Sequence, residues 1–526
     1  MSIIEQPTPD SANEGINPFE VDFAADGEDP SSRVTIANLL SDSAIYGIAK
    51  IVDPAIGFAL LPVVTSLLHP EDYGLLSLFT ATSHVMFTLC SLGIHQSFLR
   101  YFTEAKNSPD QQAVANSAVV LAIIYWLIVA PFLLYFASPI SNLLFEINSP
   151  VLVYVLLAVS LVQTLDALGS NLLQASGRAF AYLVNTIFST ITVRLLALIL
   201  ILQGAGAWGW ITGEAIGRTV AMSLVVFVAM PWVRLRTTKT QAKDLAWYGV
   251  MLVPAMLSFY IMTITDKFLI RVLADSPFEQ VGLYTVGERI AGIMHMANLA
   301  IILGWQRFAF RNMHEEGGGS LIGYGWFVYM LGAGYMVLGL TLLGNDLTHL
   351  TVSEQYTAGL AVIIPLTLAA FSGGLANMCD VGLHKRRWPH LISAVTTSAA
   401  VANIGLNFLF IPRYGIQGAA WATFICQTLR LVVIYIASQF AFYIKIDVWR
   451  IGLVVVTYSA MFLVGRSFDA FDWITAGVAQ TIILAITPFV VWWLPILNDD
   501  ERFHIRAMIR RVLSVLSLQR YSIVKN

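Results

Sequence analysis

The sequence has little charge. Asp, Glu, Lys and Arg make up only 12% of its 526 residues, whereas a typical soluble domain carries about 25%. Hydrophobic residues account for 57% of the chain, and its mean hydropathy is +0.71. A surface with so few charges is suited to lipid rather than to water. The composition therefore excludes an ordinary soluble protein and predicts a membrane protein.

Sequence motifs of several enzyme classes are also missing. The chain contains three cysteines, Cys90, Cys379 and Cys426, far apart and in or beside apolar segments. We predict that they are buried core residues, because their spacing suits neither a disulfide framework nor a zinc site. A phosphate-binding G-x-x-x-x-G-K-[ST] loop is absent, so ATP hydrolysis by this chain is not expected. We expect no metal centre, no cofactor and no nucleic-acid partner.

What the chain does contain is fourteen apolar stretches, most of them close to the roughly 20 residues that cross a bilayer as a helix. They predict an all-α polytopic membrane protein with about fourteen transmembrane helices. The connections are short loops that leave no room for an inserted catalytic domain, so we do not expect an enzyme. The predicted spans are 41–68, 75–95, 113–136, 150–174, 179–203, 207–231, 245–270, 281–305, 321–343, 356–379, 391–411, 415–442, 449–466 and 474–495.

Positive charge is concentrated in every second connection. The intervening connections hold only Arg271, Arg413 and Arg466. Lys and Arg accumulate on the cytoplasmic side of membrane proteins because their translocation is unfavourable. Both termini are therefore predicted to be cytoplasmic. The basic connections contain Arg100, Lys106, Arg178, Arg234, Lys243, Arg307, Arg311, Lys385, Arg387, Lys445 and Arg450.

Three segments outside the apolar stretches have distinct compositions. Residues 1–40 are acidic, lack the pattern of a signal peptide and are expected to form a disordered cytoplasmic tail. Residues 232–244 form a basic cytoplasmic linker, and residues 496–526 a basic cytoplasmic tail. Within that tail, residues 499–519 allow two interpretations, an amphipathic helix on the membrane surface or a solvated segment.

The sequence repeats itself weakly in three places. SLLHPEDYGLLSLFT, near residue 74, resembles VLADSPFEQVGLYTVGE, near residue 282. QASGRAFAYLVN, around Arg178, resembles VGLHKRRWPHLIS, around Arg386. GAGAWGWITGEAIGRT, after Gly204, resembles GIQGAAWATFICQTLR, after Gly415. The order is kept, and each pair is offset by about 207–211 residues, which indicates one internal duplication.

Six predicted helices separate the copies of this repeat. Because six is even, both copies enter the membrane in the same direction. Parallel repeats of this kind form two-lobed transporters with a substrate path at the interface of the lobes. We therefore predict an N-lobe at 41–231, a C-lobe at 245–445, each of six helices, and an appended helix pair at 446–495.

Ionisable side chains inside membrane spans are unfavourable and usually serve a function. Those in this chain are therefore the candidate site residues. The basic ones are candidate ligands of a phosphate group: Lys50, Arg194, Arg218, Lys267, Arg289 and Arg430. The acidic ones are candidate ion-coupling sites or charge partners: Asp53, Asp166, Glu214, Asp266 and Glu288.

Two pairs of these residues also have a purely structural interpretation. Lys50 and Asp53 are three residues apart, and Glu214 and Arg218 are four apart. Members of such pairs share a helix face, so each pair can simply neutralise itself. Charge neutralisation and cavity lining therefore both stay open for these four residues.

The remaining candidates differ in their local surroundings. Arg194 and Arg430 have no acidic partner on their own helix, which favours cavity lining over pairing with another helix. Asp266–Lys267 and Glu288–Arg289 are adjacent residues, so their side chains diverge by about 100° around the helix. Within each of these two pairs, both members cannot point squarely in the same direction.

Three motifs carry a family resemblance. Residues 403–423, NIGLNFLFIPRYGIQGAAWAT, residues 69–78, HPEDYGLLSL, and residues 248–270 with Asp266–Lys267 resemble the polysaccharide (O-antigen) flippases. These flippases belong to the multidrug/oligosaccharidyl-lipid/polysaccharide exporter (MOP) superfamily. The resemblance extends over about residues 40–445, and only Lys267 among the candidate cations is supported by it. Within 403–423 the family-like positions are Asn403, Asn407, Pro412, Tyr414, Gly415, Gly418 and Ala419.

The resemblance implies a transport function. A flippase of this family moves undecaprenyl-pyrophosphate-linked oligosaccharide from the cytoplasmic to the outer leaflet of the bacterial inner membrane, through a cavity between two lobes. The implied partners are the lipid-linked oligosaccharide, membrane lipids and the glycan polymerase and chain-length machinery. We expect alternating access coupled to an ion gradient or the membrane potential, with Arg218, Lys267 and Arg289 holding the pyrophosphate.

Three alternatives stay open at this point. A cation-coupled multidrug exporter of the same superfamily would favour acidic residues in the cavity. A flippase for the peptidoglycan precursor or a teichoic-type polymer would handle the same lipid carrier. A membrane-embedded glycan polymerase or ligase is disfavoured, because such enzymes usually need a large external loop.

Overall fold

The computed structural model of the protein describes residues 30–105, 107–229, 239–499, 501–503 and 506. The regular structure of these residues is helical and includes no strand, so the predicted all-α class is confirmed. The acidic leader before residue 30, the linker at 230–238 and most of the basic tail lie outside the described residues. The first helix begins at Pro30, so the part of the predicted tail after residue 30 is helical.

The described part of the chain contains seventeen α-helices. Those of the first half are α1 (Pro30–Ala59), α2 (Leu61–Leu67), α3 (Pro70–Ser91), α4 (Ile94–Glu104), α5 (Ser108–Tyr135), α6 (Ala137–Phe145), α7 (Pro150–Ala175), α8 (Ala179–Leu200) and α9 (Gly206–Ala229). Those of the second half are α10 (Lys239–Leu273), α11 (Pro277–Asn312), α12 (Gly318–Thr351), α13 (Ile363–Cys379), α14 (Val381–Lys385), α15 (Pro389–Ala441), α16 (Val448–Arg466) and α17 (Trp473–Trp493). Other helical turns are Ile201–Ala205, Glu354–Val362 and Ser467–Ala470.

Local sequence signals begin several of these helices. Pro70, Pro277 and Pro389 occupy the first turn of α3, α11 and α15, where a missing N–H costs nothing and the fixed φ favours the helix. The Asn107 side chain accepts a hydrogen bond from the Asp110 N–H at 2.9 Å and caps α5. These signals divide the apolar sequence into separate helices.

Fewer than fourteen helices meet the criteria of length and apolarity for a membrane span in the described part of the chain. Among the described residues ten helices meet these criteria, or eleven if the bent pair Ile45–Ala59 and Leu61–Leu67 forms one span. The count of fourteen is therefore not confirmed. Two of the ten, Ala179–Val225 and Pro389–Ala441, contain 47 and 53 residues, and each covers two predicted spans.

Both of these long helical segments bend at a glycine. Gly206 has φ 55° and ψ −141°, and Gly415 has φ 55° and ψ −138°. Residues with a Cβ rarely adopt such positive φ values, so glycine is required at both positions. The two glycines are 209 positions apart (415 − 206), within the offset of the sequence repeat. The sequence repeat therefore corresponds to a repeat of the backbone conformation.

The helices pack within and between the two lobes and the appended pair that were defined from the sequence. In the first lobe α8 packs on α1 and α9, and α7 packs on α9. In the second lobe α10 and α13 pack on α15. The main contact between the lobes is made by α3 and α11, while α16 and α17 pack against α12. A site between the lobes is therefore bordered by α3 and α11.

The largest apolar core joins the two lobes at their predicted outer end. It includes the fully buried Phe79 from α3 and Tyr284 from α11, with Tyr356 from the second lobe. Burial of such large aromatic side chains contributes strongly to packing. The cysteines are also buried and free, as predicted: Cys90, Cys379 and Cys426.

Candidate functional site

A cavity of about 170 Å³ lies between the lobes. Helices α1, α3, α8 and α9 of the first lobe and α10 and α11 of the second contribute to its wall. Among the described residues, the lining contains three cations and no carboxylate. Ligand sites for small molecules measure about 300–1,000 Å³, so in this state the cavity accommodates a compact anionic group rather than a whole glycan. The polar and aromatic lining residues are Tyr73, Ser77, Thr80, His84, Arg194, Trp210, Lys267, Thr285 and Arg289.

Two of the cavity cations are held by carboxylates on other helices. Arg194 Nη2 lies 2.9 Å from Asp53 Oδ1, and the guanidinium lies 5.5 Å from the ring centroid of Trp210. Lys267 Nζ lies 2.7 Å from Glu288 Oε2, which joins α10 to α11. Such pairing stabilises charged groups inside the membrane and orients them at the cavity wall.

Arg289 is the third cavity cation and has different surroundings. No carboxylate of the described residues lies within 4.0 Å of its guanidinium. Its Nη1 packs against α1 at Gly57, where a Cβ would lie only 2.9 Å away. The neighbouring Glu288 is paired with Lys267. Arg289 is therefore the cavity cation most readily available to an anionic ligand.

Glu214 and Arg218 form an ion pair within α9. Arg218 donates to Glu214 Oε1 from Nε at 3.0 Å and from Nη2 at 2.8 Å, and Glu214 is only 2% exposed. Neither residue lines the cavity described above. Glu214 and Arg218 thus neutralise each other, which was one of the two interpretations left open. The cation that lines the cavity with Lys267 and Arg289 is Arg194, not Arg218.

We predict that Glu214→Gln destabilises the protein, because it leaves Arg218 without its carboxylate. Breaking a buried pair costs about 3–5 kcal/mol, so the thermal unfolding midpoint of the purified protein should fall clearly. The double variant Glu214→Gln/Arg218→Gln should recover most of the loss. Glu315→Gln, at an exposed glutamate, is the control and should leave the midpoint unchanged. Equal midpoints for Glu214→Gln and wild type would contradict this assignment.

The other candidate residues lie apart from the cavity cations. Lys50 is exposed and is not paired with Asp53, whose partner is on α8. Asp166 of α7 is partly buried, and its Oδ1 has no hydrogen-bond partner among the described residues. Arg430 lies in the second lobe, where Nη2 donates to Asn377 Oδ1 at 2.6 Å. None of these residues lines the cavity.

Asp266 lies in a second polar cluster, inside the second lobe. Its Oδ2 accepts hydrogen bonds from the Tyr284 hydroxyl at 2.8 Å and the Thr423 hydroxyl at 2.6 Å. Its Oδ1 accepts one from Asn407 Nδ2 at 2.8 Å, and Asn407 Nδ2 also donates to Asn403 Oδ1 at 3.1 Å. Among the described residues no cation lies within 4.0 Å of the Asp266 carboxylate. This is a buried carboxylate held by neutral donors.

Sequence reasoning did not assign the partners of Asp266 to a site. Asn403 and Asn407 are one helical turn apart on α15, and that i, i+4 spacing in an apolar helix was the available signal. The adjacent Lys267 instead points to the cavity, which agrees with the expected divergence of the two side chains. Asn407 Oδ1 is buried and has no hydrogen-bond partner among the described residues.

The lobes meet most closely at two glycines. A Cβ at Gly74 of α3 would lie 1.8 Å from the backbone oxygen of Phe278, and one at Gly282 of α11 would lie 2.0 Å from that of Pro70. Real side chains do not approach backbone atoms so closely, so only glycine permits this contact. The positions are 208 apart (282 − 74) and are equivalent in the two repeats.

A buried hydrogen bond continues the same contact. The hydroxyls of Ser77 and Thr285 lie 2.8 Å apart, and these positions are again separated by 208 residues. Equivalent residues of two repeats meet each other only at the pseudo-twofold axis that relates the repeats. The α3–α11 contact therefore lies on this axis, and both hydroxyls also line the cavity. We call this contact the axial gate.

Cross-lobe contacts around the axial gate hold the predicted outer end together. The Tyr356 hydroxyl and Gln355 Nε2 of the second lobe donate to Leu68 O at 2.9 and 3.0 Å. In the same direction, Arg271 Nη2 of the second lobe lies 3.3 Å from Glu146 Oε1 of the first lobe. Side chains of the second lobe thus bind helix ends of the first lobe, which holds the two lobes together at this end.

The sequence and the architecture have relatives among transport proteins. Residues 63–303 match a family model described as polysaccharide biosynthesis protein. The lipid II flippase MurJ, in an inward closed conformation, is similar with a TM-score of 0.67 and 14% identity, covering 86% of this chain and 99% of that chain. An inward-facing multidrug resistance MATE family transporter of the MOP superfamily is similar with a TM-score of 0.59 and 14% identity, covering 78% and 99%. This chain has the fold of the MOP superfamily.

The resemblance predicted from the sequence is thereby confirmed. An outward-facing MATE transporter of the MOP superfamily is also similar, with a TM-score of 0.53 and 15% identity over 79% of this chain and 97% of that chain. A search of curated protein sequences gives no significant match. With its MOP fold and its many apolar helices, the protein is a multi-pass membrane protein.

Proposed function

We propose that this MOP-fold protein is a flippase for undecaprenyl-pyrophosphate-linked oligosaccharide. It moves the lipid-linked unit from the cytoplasmic to the outer leaflet of a bacterial inner membrane, for polysaccharide biosynthesis. The observation that carries the proposal is the interlobe cavity, whose described lining has three cations and no carboxylate. The family match at residues 63–303 supports a role in polysaccharide biosynthesis. No enzymatic step is required.

The cavity cations suit a pyrophosphate group. Arginine offers bidentate contacts to phosphate oxygens, and lysine offers a point charge. Arg289 has no carboxylate partner to release among the described residues. Lys267 exchanges Glu288 for the ligand, and Arg194 exchanges Asp53. The carboxylates neutralise these two cations when the cavity is empty, which reduces the unpaired charge inside the membrane.

The rest of the substrate requires the lobes to move. The hydroxyls of Ser77, Thr80 and Thr285 provide hydrogen bonds for sugar groups at the cavity wall. The cavity volume admits the pyrophosphate alone, so a glycan enters only when the lobes separate at the predicted cytoplasmic end. The lipid chain stays in the bilayer. Opening the axial gate then releases the headgroup outside, where a glycan polymerase and chain-length machinery would use it.

Transport of a cationic drug is the main alternative. Such an exporter favours acidic cavity residues, and the MATE relatives show that the fold serves multidrug resistance transporters. The carboxylates of Asp53, Asp166 and Glu214 are not among the described lining residues, which favours an anionic substrate. A flippase for the peptidoglycan precursor would bind a substrate with the same pyrophosphate group. The experiment below distinguishes it from our proposal.

The proposed function is tested by deleting the gene and locating the lipid-linked glycan. In deletion cells the glycan should accumulate and resist periodate, a membrane-impermeant oxidant, added to spheroplasts, because it stays in the cytoplasmic leaflet. Expression of the full chain should restore its oxidation. Accumulation of the peptidoglycan precursor instead would support the other flippase. Loss of dye efflux with normal glycan export would identify a drug exporter.

We further propose that Asp266 binds the coupling ion. Its carboxylate is buried, is held by neutral donors and lies beside Asn407 Oδ1, an oxygen without a partner among the described residues. Carboxylate, amide and hydroxyl oxygens suit a hard cation, and a carboxylate alone can instead take up a proton. Since Tyr284 of α11 and Thr423 of α15 share this carboxylate, ion binding changes the contact between these helices.

We predict that Asp266→Asn abolishes the stimulation of transport by an ion gradient. Coupling between two sites typically corresponds to about 5–150-fold, so the rate under a gradient should fall toward the rate without one. The measurement is flipping in proteoliposomes with imposed Na⁺ or H⁺ gradients. Asp244→Asn, at an exposed position of the same helix, is the matched control. Undiminished gradient stimulation in Asp266→Asn would exclude Asp266 as the coupling site.

A further inference from the structure

The segment after α17 is anchored to the bundle. Glu501 is 5% exposed and pairs with Arg450 at the start of α16. Arg450 also donates from Nε to Ile496 O at 2.7 Å, and its guanidinium lies 3.9 Å from the ring centroid of Phe327. The charge of Glu501 is thus neutralised by Arg450. Arg502 and Phe503, which follow Glu501, are thereby held beside the end of α17.

This anchoring places two arginines next to two tryptophans. A surface cavity of about 490 Å³ is lined by Trp492, Trp493, Asp499, Arg502, Phe503 and Arg506. The guanidinium of Arg506 lies 5.2 Å from the ring centroid of Trp492. Within the described part of the chain, no carboxylate lies within 4.0 Å of Arg506. The cavity therefore has an arginine without an ion-pair partner in the described part of the chain.

Arg502 is only weakly neutralised. Its Nη2 donates to Leu494 O at 3.1 Å, and its Nη1 lies 3.5 Å from Asp499 Oδ1. The Asp499 side chain is fully exposed, and an exposed pair of this kind contributes little. Arg502 and Arg506 together therefore give the cavity a net positive charge.

The position of the cavity decides which anion it suits. Trp493, the last residue of the apolar helix α17, is 83% exposed, and Phe503 is 69% exposed. Water would be an unfavourable environment for both side chains. Tryptophan at such positions lies at the level of lipid headgroups. Arginines beside these tryptophans are therefore placed to contact the phosphate groups of lipids. A soluble anion would contact only the arginines and would leave the exposed aromatic rings in water.

We infer that Arg502 and Arg506, with Trp492 and Trp493, bind the phosphate group of an anionic phospholipid. The lipid belongs to the leaflet that adjoins the predicted cytoplasmic end, where basic residues meet anionic headgroups. This site is at the opposite end of the bundle from the axial gate and does not depend on the transported cargo. A bound lipid would join α17 to Arg502 and Arg506.

The test is native mass spectrometry of the full-length protein with added phosphatidylglycerol or phosphatidylcholine. The wild type should bind one phosphatidylglycerol molecule more tightly than any further phosphatidylglycerol molecules. In Arg502→Gln/Arg506→Gln the affinity for this first molecule should fall about tenfold or more. Each arginine near a membrane surface contributes about a factor of five to lipid affinity. The matched control is Arg178→Gln/Arg311→Gln, which removes two exposed arginines of other basic connections.

Three results would overturn the inference. Equal phosphatidylglycerol binding by Arg502→Gln/Arg506→Gln and wild type would exclude these arginines. An equal loss in Arg178→Gln/Arg311→Gln would show a general effect of charge. Displacement of the lipid by millimolar inorganic phosphate would identify a site for soluble phosphate. A thermal unfolding midpoint measured for each variant without added lipid separates loss of the site from loss of the fold.

Discussion

Gly74→Ala is expected to hold the axial gate open and to stop transport. The new Cβ would lie 1.8 Å from the backbone oxygen of Phe278. A backbone atom cannot move aside by a change of rotamer. The α3 and α11 helices must separate, so the closed state loses its tightest contact. Overpacking of this kind costs about 1–3 kcal/mol, which lowers the population of the closed state by about 5–150-fold.

The open gate is measured by chemical labelling. Thr80 lines the cavity below the axial gate, so a Thr80→Cys variant reports access from outside to a membrane-impermeant maleimide. The native cysteines are buried and give little background. Labelling should be slow with the native gate and faster with Gly74→Ala, and Gly282→Ala should have the same effect because the repeat makes the two glycines equivalent.

The matched control for the gate is Gly292→Ala. Gly292 lies on α11, and a Cβ there would meet no atom within 4 Å. It should leave both labelling and transport unchanged, apart from a small change in helix propensity. If Gly74→Ala stops transport at normal protein levels without faster labelling of Thr80→Cys, then the glycine contact is structural and the gate assignment is wrong.

Arg289→Gln is expected to lower transport strongly. The guanidinium is the cavity cation without a carboxylate partner among the described residues, so an anionic headgroup gains most from it. A hydrogen bond to a charged group contributes about 1.5–3 kcal/mol, which corresponds to about a 10–150-fold loss of binding. Transport in proteoliposomes and binding of the lipid-linked substrate should both fall. Arg413→Gln, outside the cavity lining, is the control.

Lys267 needs a different design because it is also the partner of Glu288. Lys267→Gln leaves a carboxylate unpaired inside the membrane, so a loss of function alone has two explanations. In Lys267→Gln/Glu288→Gln the wall is neutral again and the fold should be retained. If Lys267 binds the pyrophosphate, then this double variant stays inactive. Recovery of transport in it would show that Lys267 only neutralises Glu288.

The sequence predicted those features of the site that depend on neighbours along a helix. Glu214 and Arg218 are paired because four residues bring them to one helix face. The adjacent Asp266 and Lys267 diverge for the same geometric reason, one toward the polar cluster and the other toward the cavity. In both cases, helix periodicity gives the direction in which each side chain points relative to its neighbour.

Partners far apart in the chain were not predictable in this way. Pairing of Asp53 with Lys50, three residues away, was one of the two interpretations left open by the sequence, but Asp53 pairs with Arg194, 141 positions further on. Asp266 receives hydrogen bonds from Asn407 and Thr423, again more than 140 positions away. Helix spacing contains no information on which helices become neighbours, so these pairs depend on packing.

By itself, the sequence determined a helical membrane protein, its repeat and its likeness to the MOP superfamily, because hydropathy and motif similarity are local properties. The tertiary structure decided which cations line the cavity and which carboxylates neutralise them. It also placed Gly74 against α11 and Ser77 against Thr285. The repeat shows that such positions are equivalent, but only the packing of two whole lobes brings equivalent positions into contact on their common axis.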